Sequence, residues 1–281
     1  MSNSNKESNE VGLLSLLPRP PAGKTGWPWT EETGINTYNA ENKWNKISII
    51  TPSYNQGPYL ETTIRSVLLQ NYPNLEYIII DGGSTDNSLE IIKKYEPWIT
   101  YWISEKDNGQ SHAINKGFNK LTGDIVAWIN SDDWYADGSF GRIAQCFKND
   151  QTNIVLGHCL IHYADKVHKN HIVKLNKINF LSLLKYWNPV FSPPQPSIFF
   201  TAKCLKSVGF LDENLHYAMD LDLWLRITKN SDFQYLGFVL SNYLIHAVSK
   251  SGSTNGFEKF IPEWNPVFSP PQPSIFFTAK C

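Results

Sequence analysis

From Lys46 onward, short apolar runs rich in β-branched residues alternate with stretches whose apolar residues recur every three or four positions. Residues 47–51 (ISIIT) predict a buried strand, interrupted by residues 52–58 (PSYNQGP). Leu60, Ile64, Val67 and Leu68 then share a helical face, with Pro58 suited to the first turn. Residues 76–80 (EYIII) predict a second strand that ends at Asp81-Gly82-Gly83, and a helix follows through Leu89, Ile92 and Tyr95. Residues 99–104 (ITYWIS) predict a third strand, and residues 107–110 turn into a helix carrying Ala113, Ile114, Gly117, Phe118 and Leu121. The fourth strand, residues 125–129, runs straight into Asn130, Ser131, Asp132 and Asp133. Strands and helices in strict alternation, joined by short loops, predict an α/β fold with a mostly parallel sheet covered by helices on both faces. Ligands of such sheets bind beyond the carboxyl ends of the strands. Residues 52–55, Asp81, Asp107 and Asp132–Asp133 all fall there.

Beyond residue 137 the pattern loosens into a smaller mixed region. Phe140, Ile143, Ala144 and Phe147 predict a helix, and residues 154–163 and 171–175 a hairpin or a pair of strands. Then come a short helix (180–187), a rigid Pro-rich loop (188–196), a strand (197–200) and a helix (202–208). Residues 220–229 predict a further helix, and residues 233–236 and 239–246 two β-rich runs. These shifts divide the chain at 1–45, 46–137, 138–253 and 254–281. Residues 1–10 are Ser, Asn and Glu with little to bury, which predicts disorder. Residues 17–29 form a Pro/Gly arm whose Trp27 and Trp29 are costly to leave in water, so the arm straps across the domain or marks a partner surface. Residues 187–204 recur letter for letter as 264–281. Folded repeats drift and stack at a regular period. An undiverged second copy predicts a loosely packed tail, because the sheet has one place for that strand.

Composition narrows the function classes. The chain has 281 residues, 41% hydrophobic, enough for one large domain or two small ones. Its net charge is −1, with Lys and Arg scattered rather than in runs, so there is no nucleic-acid footprint. Cys146, Cys159, Cys204 and Cys281 form no C-x-x-C pair, which suits free thiols in a reducing compartment. No apolar run approaches the ~20 residues of a transmembrane helix, and residues 11–17 are too short for a signal sequence. The expectation is a cytoplasmic protein.

A buried strand that delivers Asp132 and Asp133 side by side suits a hard cation, since Mg²⁺ and Mn²⁺ use few protein carboxylates and complete their shells with phosphates and water. An Asp-rich turn capping the next helix is the plainer reading. Asp81 before Gly82-Gly83 is either a turn former or a carboxylate reading a base or ribose. The helix beginning near Asp107 offers free amides to an anion, but its spacing matches neither the phosphate loop nor G-x-G-x-x-G. Asp220 and Asp222 are two apart on a helix and cannot share one site; either suits the first turn, or could act as a general base. His158, His162, His168 and His171 lack the spacing of zinc ligands.

The motifs ISIITPSYNQGPYL, IIIDGGSTDNS, EKDNGQSHAINKG, GDIVAWINSDDW, QPSIFF, AMDLDLWLR and YLIHAVSKSGS stand in an order that resembles family 2 glycosyltransferases of the GT-A fold, the non-processive kind that builds bacterial surface polysaccharides. The resemblance runs from about Lys46 to Ser253, and the arm PPAGKTGWPWTE is similar to a leader of some members. It implies a nucleotide-sugar-binding half (46–137) and an acceptor-binding, catalytic half (138–253). Pro52, Tyr54, Asp81, Asp107 and Ser131 would bind a UDP- or GDP-linked sugar donor. Asp132, Asp133 and His246 would hold Mg²⁺ or Mn²⁺, Asp220 would be the general base, and Gln195 and Asp222 would face the acceptor. The chain departs from the family pattern in having Asn130 for the first acid of Asp-x-Asp, Gly82 for the second acid of Asp-Asp-Gly, and Met219 for the Glu of Glu-Asp. Gln-x-x-Arg-Trp and membrane helices, marks of processive relatives, are missing from the sequence, which implies transfer of a single sugar with inversion to a glycan or lipid-linked hydroxyl. A lipid-linked acceptor would bring the enzyme to the inner face of a membrane as a peripheral protein. A disabled nucleotide- or sugar-binding homologue and a nucleotidyltransferase are the rival readings.

Overall fold

A computed structural model describes residues 11–39, 41–165, 167–175, 177–185, 191–250 and 262–263. The expectations for residues 1–10, for the second copy at 264–281 and for parts of 180–196 lie outside these.

The first half is built as its periodicity predicts. Strands β1 (Ile47–Ser53), β2 (Leu75–Asp81), β3 (Tyr101–Ser104) and β4 (Ile125–Trp128) are all parallel, in the order β3-β2-β1-β4. Helices α1 (Gly57–Leu68), α2 (Ser88–Tyr95) and α3 (Gln110–Phe118) make the crossovers. Every residue of β1 is buried, as a central strand covered on both faces requires. Ile47 and Ile49 face one core with Leu60, Ile64 and Val67 of α1, while Ile50 faces the other with Ile114 and Phe118 of α3. Gly117 lets α3 approach closely, for a Cβ there would lie 2.5 Å from Ile50. The register sets Ser53 beside Asp81, and Asp81 beside Ser104. Three strand ends thus present a polar row at one edge.

The sheet continues past β4 in mixed fashion. Strand β8 (Ile198–Thr201) runs antiparallel to β4, followed by β6 (Ile154–Tyr163), β9 (Phe233–Ile245) and β5 (Trp134–Tyr135), with β7 (His171–Val173) paired to β6. Helices α4 (Ser139–Cys146), α5 (Phe180–Leu183), α6 (Ala202–Val208) and α7 (Met219–Thr228) cover it. One expectation needs correction, and one strand was unforeseen. The β-rich runs 233–236 and 239–246 are one long strand, carried through its Gly237-Phe238 interruption by irregular pairing opposite Gly157, His158 and Cys159. The two-residue strand β5, unforeseen, exists only because Trp134 and Tyr135 pair with Asn242 and Ser241.

The N-terminal arm, grouped with a disordered segment by its composition, is packed over residues 11–39. Trp29 is 7% exposed, and Trp27 Nε1 donates to the Tyr135 carbonyl (2.8 Å). Arg65 of α1 is the fastening. Its fully buried guanidinium donates to the carbonyls of Pro18 (2.9 Å), Pro28 (2.9 Å) and Trp29 (2.8 Å) and to the Tyr95 hydroxyl (3.1 Å). A buried arginine needs its donors satisfied, and the arm supplies most of the acceptors.

Candidate functional site

The carboxyl ends of the parallel strands gather the residues singled out from the sequence. Tyr54, in the β1–α1 loop, is 61% exposed, while Pro52 is buried and paired with Ile80. Asp81 is fully buried. Its Oδ2 accepts from the amides of Gly83 (3.1 Å) and Ser84 (2.8 Å) and from Ser104 Oγ (2.7 Å), and its Oδ1 from Ser84 Oγ (2.5 Å). This carboxylate shapes its own loop. Gly83 takes the left-handed conformation (φ +81°) that glycine tolerates best. A Cβ on Gly82 would lie 2.6 Å from Asp107 Oδ2 and 3.3 Å from Tyr54 Cδ2. The missing acid at position 82 therefore has a local reason: that space belongs to Asp107 and Tyr54. Asp107 Oδ1 also accepts from the Gly109 amide (2.8 Å), shaping the turn into α3.

Past β4, the neighbours Asp132 and Asp133 part company. Asp133 is fully buried, and its Oδ1 accepts from the Leu244 amide of β9 (3.0 Å). Burial, reinforced by the neighbouring Asp132 charge, pushes its carboxyl well above the usual range. Asn130 points its amide at Asp133 Oδ2 (3.5 Å) while its carbonyl accepts from Gln110 Nε2 (2.6 Å). An acid at position 130 would set another negative charge beside this strained pair, so the departure from Asp-x-Asp is electrostatically coherent. Ser131 is 5% exposed. Asp132 Oδ2 instead lies 3.0 Å from His246 Nε2, at the end of β9. His246 Nδ1 is buried with no partner among the described residues.

The 3.0 Å separation of Asp132 and His246 is that of a hydrogen bond between the two side chains, and it also matches the spacing that two ligands of a shared cation would have. Two ligands at right angles with bonds of about 2.1 Å sit ~3.0 Å apart, and Mg²⁺ commonly takes only one or two protein groups. Among the described residues there is no cluster of three or more His, Cys, Asp or Glu side chains that could hold a metal. Phosphate oxygens and water would have to complete the shell. Two of the other histidines are engaged elsewhere, His162 Nε2 with Asn242 (2.9 Å) and His168 Nδ1 with Asp165 (3.0 Å), while His158 Nδ1 is buried without a partner among the described residues.

The N-terminus of α7 joins the same edge through α3. Ser111 Oγ donates to the Leu215 carbonyl and Met219 Sδ (2.8 Å each), and Gln110 reaches Asn130. Met219 packs against Ser111 at 6% exposure, a setting unfavourable for the Glu of the family motif. Asp220 follows with its carboxyl raised to about 6, chiefly by burial, against the lowering effects of the Leu221 amide (2.7 Å) and the Lys250 charge. Lys250 is itself lowered by burial, and Asp220 and Glu263 oppose that shift. Glu263 caps this end of α7, accepting from the amides of His216 (2.9 Å), Tyr217 (2.6 Å) and Ala218 (2.9 Å).

Two singled-out residues have other attachments. Asp222 is held by Arg226 one turn along (2.9 and 2.7 Å), and Arg226 in turn clasps the carbonyls of Val208, Gly209 and Phe210. The structure does not bring Asp222 into the cluster around Asp220. Gln195 Nε2 donates to the Trp128 carbonyl (2.9 Å) at the end of β4, leaving its buried Oε1 without a partner among the described residues. Sequence reasoning missed Ser53, whose buried Oγ beside Asp81 is likewise unpartnered among the described residues. It also missed Tyr59, which lies against His246. Both stand inside the quoted first motif, but only the fold shows which way they point.

With the geometry in place, comparison with known proteins gives the family. The model of glycosyl transferase family 2 matches residues 48–204. The chain belongs to glycosyl transferase family 2. An uncharacterized glycosyltransferase of Rickettsia typhi is 28% identical over 229 residues, 78% of this chain and 70% of that protein. Two solved structures share the fold. The mannosyltransferase PcManGT from Pyrobaculum calidifontis, in complex with GDP-Man and Mn²⁺, has a TM-score of 0.59 at 16% identity over 81% of this chain and 68% of its own. S. aureus TarS 1–349, in complex with UDP-GlcNAc, has a TM-score of 0.57 at 18% identity over 72% of this chain and 59% of its own. The expected GT-A fold is the one these neighbours share. No helix among the described residues is long and apolar enough to cross a membrane.

Proposed function

We propose that this domain transfers a sugar from a UDP- or GDP-linked donor to a hydroxyl of a glycan or lipid-linked acceptor, with inversion at the anomeric carbon. The observation that carries the reading is the Asp132–His246 pair, 3.0 Å apart, at the strand edge that also presents Tyr54, Asp107 and Asp220. The relatives point the same way, since the two structural neighbours were captured with nucleotide-sugars and one of them with Mn²⁺.

Tyr54 offers an exposed ring face and Asp107 a carboxylate where the loops meet at Gly82, suited to a nucleoside. Asp81 and Asp133 act by holding loops. Asp132 and His246 are the residues to hold Mg²⁺ or Mn²⁺, which when bound would offset charge on the departing diphosphate. Asp220, raised to about 6, is ionised at neutral pH yet basic enough to accept a proton. It removes the acceptor hydroxyl proton as the oxygen bonds the anomeric carbon; the bond from that carbon to the diphosphate oxygen breaks, and the nucleoside diphosphate leaves with the electron pair. Gln195, whose buried Oε1 has no partner among the described residues, would receive an acceptor hydroxyl.

A donor panel tests this. Incubation of the full chain with nucleotide-sugars and Mn²⁺ is expected to release a nucleoside diphosphate from one donor class, and a trapped glycoside product should have the inverted configuration. Release of pyrophosphate would instead indicate a nucleotidyltransferase. No turnover and no Mn²⁺-dependent nucleotide binding across the panel would indicate a disabled homologue.

A further inference from the structure

The ring of His246 is held from a side that the sequence reading did not foresee. Tyr59, in the first turn of α1, lies against it with ring centroids 4.5 Å apart and planes inclined by 32°. A metal-ligating histidine is ordinarily oriented by a hydrogen bond from its second ring nitrogen. Here Nδ1 is buried and has no partner among the described residues, while Nε2 faces Asp132. The main chain at His246 is fixed by a tight turn, with the Ser249 amide donating to its carbonyl (3.0 Å) and its own amide donating to Ser249 Oγ (3.3 Å). That turn fixes the Cα but leaves the ring torsions free. The ring is held at Nε2 by the hydrogen bond with Asp132 (3.0 Å), and from the side by the Tyr59 ring.

Tyr59 is well anchored for such a task. Its amide donates to the Gln56 carbonyl (2.9 Å), and the Gly57 amide donates to Asp86 Oδ2 (2.8 Å), which ties the start of α1 to the β2–α2 loop. A Cβ on Gly57 would lie 1.8 Å from Asn87 Oδ1, so a side chain there would have to displace the Asn87 amide. The contact is therefore presented by a helix end with little room to shift, and sites on rigid elements are held more accurately than sites on loops.

We propose that Tyr59 is a positioning residue for the cation site: its ring, lying tilted against His246, keeps Nε2 aimed at the place shared with Asp132 when a cation takes over from the Nε2–Asp132 hydrogen bond. The inference rests on the assignment of Asp132 and His246 as cation ligands made above. It needs the ring face and not the hydroxyl, which makes the conservative variant informative.

Mn²⁺ binding to the full chain, measured by electron paramagnetic resonance with Mn²⁺ alone and with UDP or GDP present, tests it. Tyr59→Phe is expected to bind Mn²⁺ within about twofold of the unsubstituted protein. Tyr59→Leu, at an unchanged melting temperature, is expected to weaken binding roughly 10- to 100-fold, the usual effect of losing an outer partner of a ligand. Tyr59→Met, of similar length but without a ring face, repeats the test should the Leu variant fold poorly. Asp132→Ala serves as the reference and should abolish binding. If Asp132→Ala loses Mn²⁺ while both Tyr59→Leu and Tyr59→Met keep it, the positioning role is overturned and the cation assignment stands. If Asp132→Ala binds like the unsubstituted protein, the cation assignment itself has failed.

Discussion

At the amino end of the parallel sheet, Glu76 of β2 is enclosed by donors. Ser48 Oγ (2.5 Å), the Thr122 amide (2.7 Å), Thr122 Oγ1 (2.6 Å) and Lys46 Nζ (2.9 Å) all reach it. Burial alone would raise its carboxyl; these bonds outweigh that and bring it to about 2. At the carboxyl end, Asp133 is pushed well up and Asp220 to about 6, with burial the largest cause at both. Ser53 Oγ, Gln195 Oε1 and His246 Nδ1 are buried there without partners among the described residues. The same sheet thus ends in a satisfied network on one side and an unsatisfied one on the other. Buried polar groups are ordinarily paired; Gln56 Oε1, Trp128 Nε1, Tyr135 Oη, His158 Nδ1 and Trp224 Nε1 are further exceptions among the described residues, and Asp81 at this edge is well bonded, so the contrast rests on the three groups beside the proposed site.

The largest expected effect concerns that unsatisfied edge. Asp220→Asn should lower the transfer rate about 10²- to 10⁴-fold, the usual worth of a general base, with nucleotide binding retained. Steady-state rates alongside calorimetric binding of the nucleoside diphosphate check this. Unchanged transfer would remove Asp220 from the chemistry and leave the edge without a base. In the unsubstituted enzyme, kcat should rise as pH climbs through about 6 and level off above it.

Next in size is the satisfied end. Glu76 has a lowered carboxyl, so its contribution to stability is present above its ordinary titration range and lost as pH falls towards about 2. Glu76→Gln should cost on the order of 1–2 kcal/mol at neutral pH, a melting temperature lower by roughly 2–6 °C, with catalysis by the folded fraction unaltered. A loss of activity in the folded enzyme would break the contrast between the two ends.

The smallest effect has the opposite sign. Asp220 has a raised carboxyl, so the folded state favours its protonated form, and the associated stability present at low pH is lost as pH rises through about 6. Asp220→Asn should therefore melt at a higher temperature than the unsubstituted protein at pH 8, by on the order of 1 kcal/mol or roughly 2–4 °C, with the gap closing near pH 4. Differential scanning calorimetry across that range measures it.

The parallel half was legible because each of its strands is a local apolar run and each helix a local period. The long β9 was not, since Gly237 and Phe238 break the alternation and only the partner strand β6 carries the pairing through. The packing of the arm was half-visible in Trp27 and Trp29; its anchor, Arg65, reads in sequence as an ordinary polar helix position. At the site, Asp132 and His246 could be named from the motifs, but the opposite fates of Asp132 and Asp133 could not. Adjacent residues leaving a strand differ only in which way the loop turns them, and here that is set by the Leu244 amide 111 positions away. Likewise the tie between Asp222 and Arg226, which also reaches the carbonyls of Val208, Gly209 and Phe210, could not be read from the sequence.

The central claim is that Asp132 and His246 hold a cation for a nucleotide-sugar at the unsatisfied edge. Titration calorimetry of UDP and GDP into the full chain, with Mn²⁺ and with chelator, and repeated on Asp132→Ala, tests it directly. Tight binding of one nucleotide is expected only when Mn²⁺ is present, with its loss, by about 100-fold or more, in Asp132→Ala. Equal binding with and without Mn²⁺, unaffected by Asp132→Ala, would contradict it.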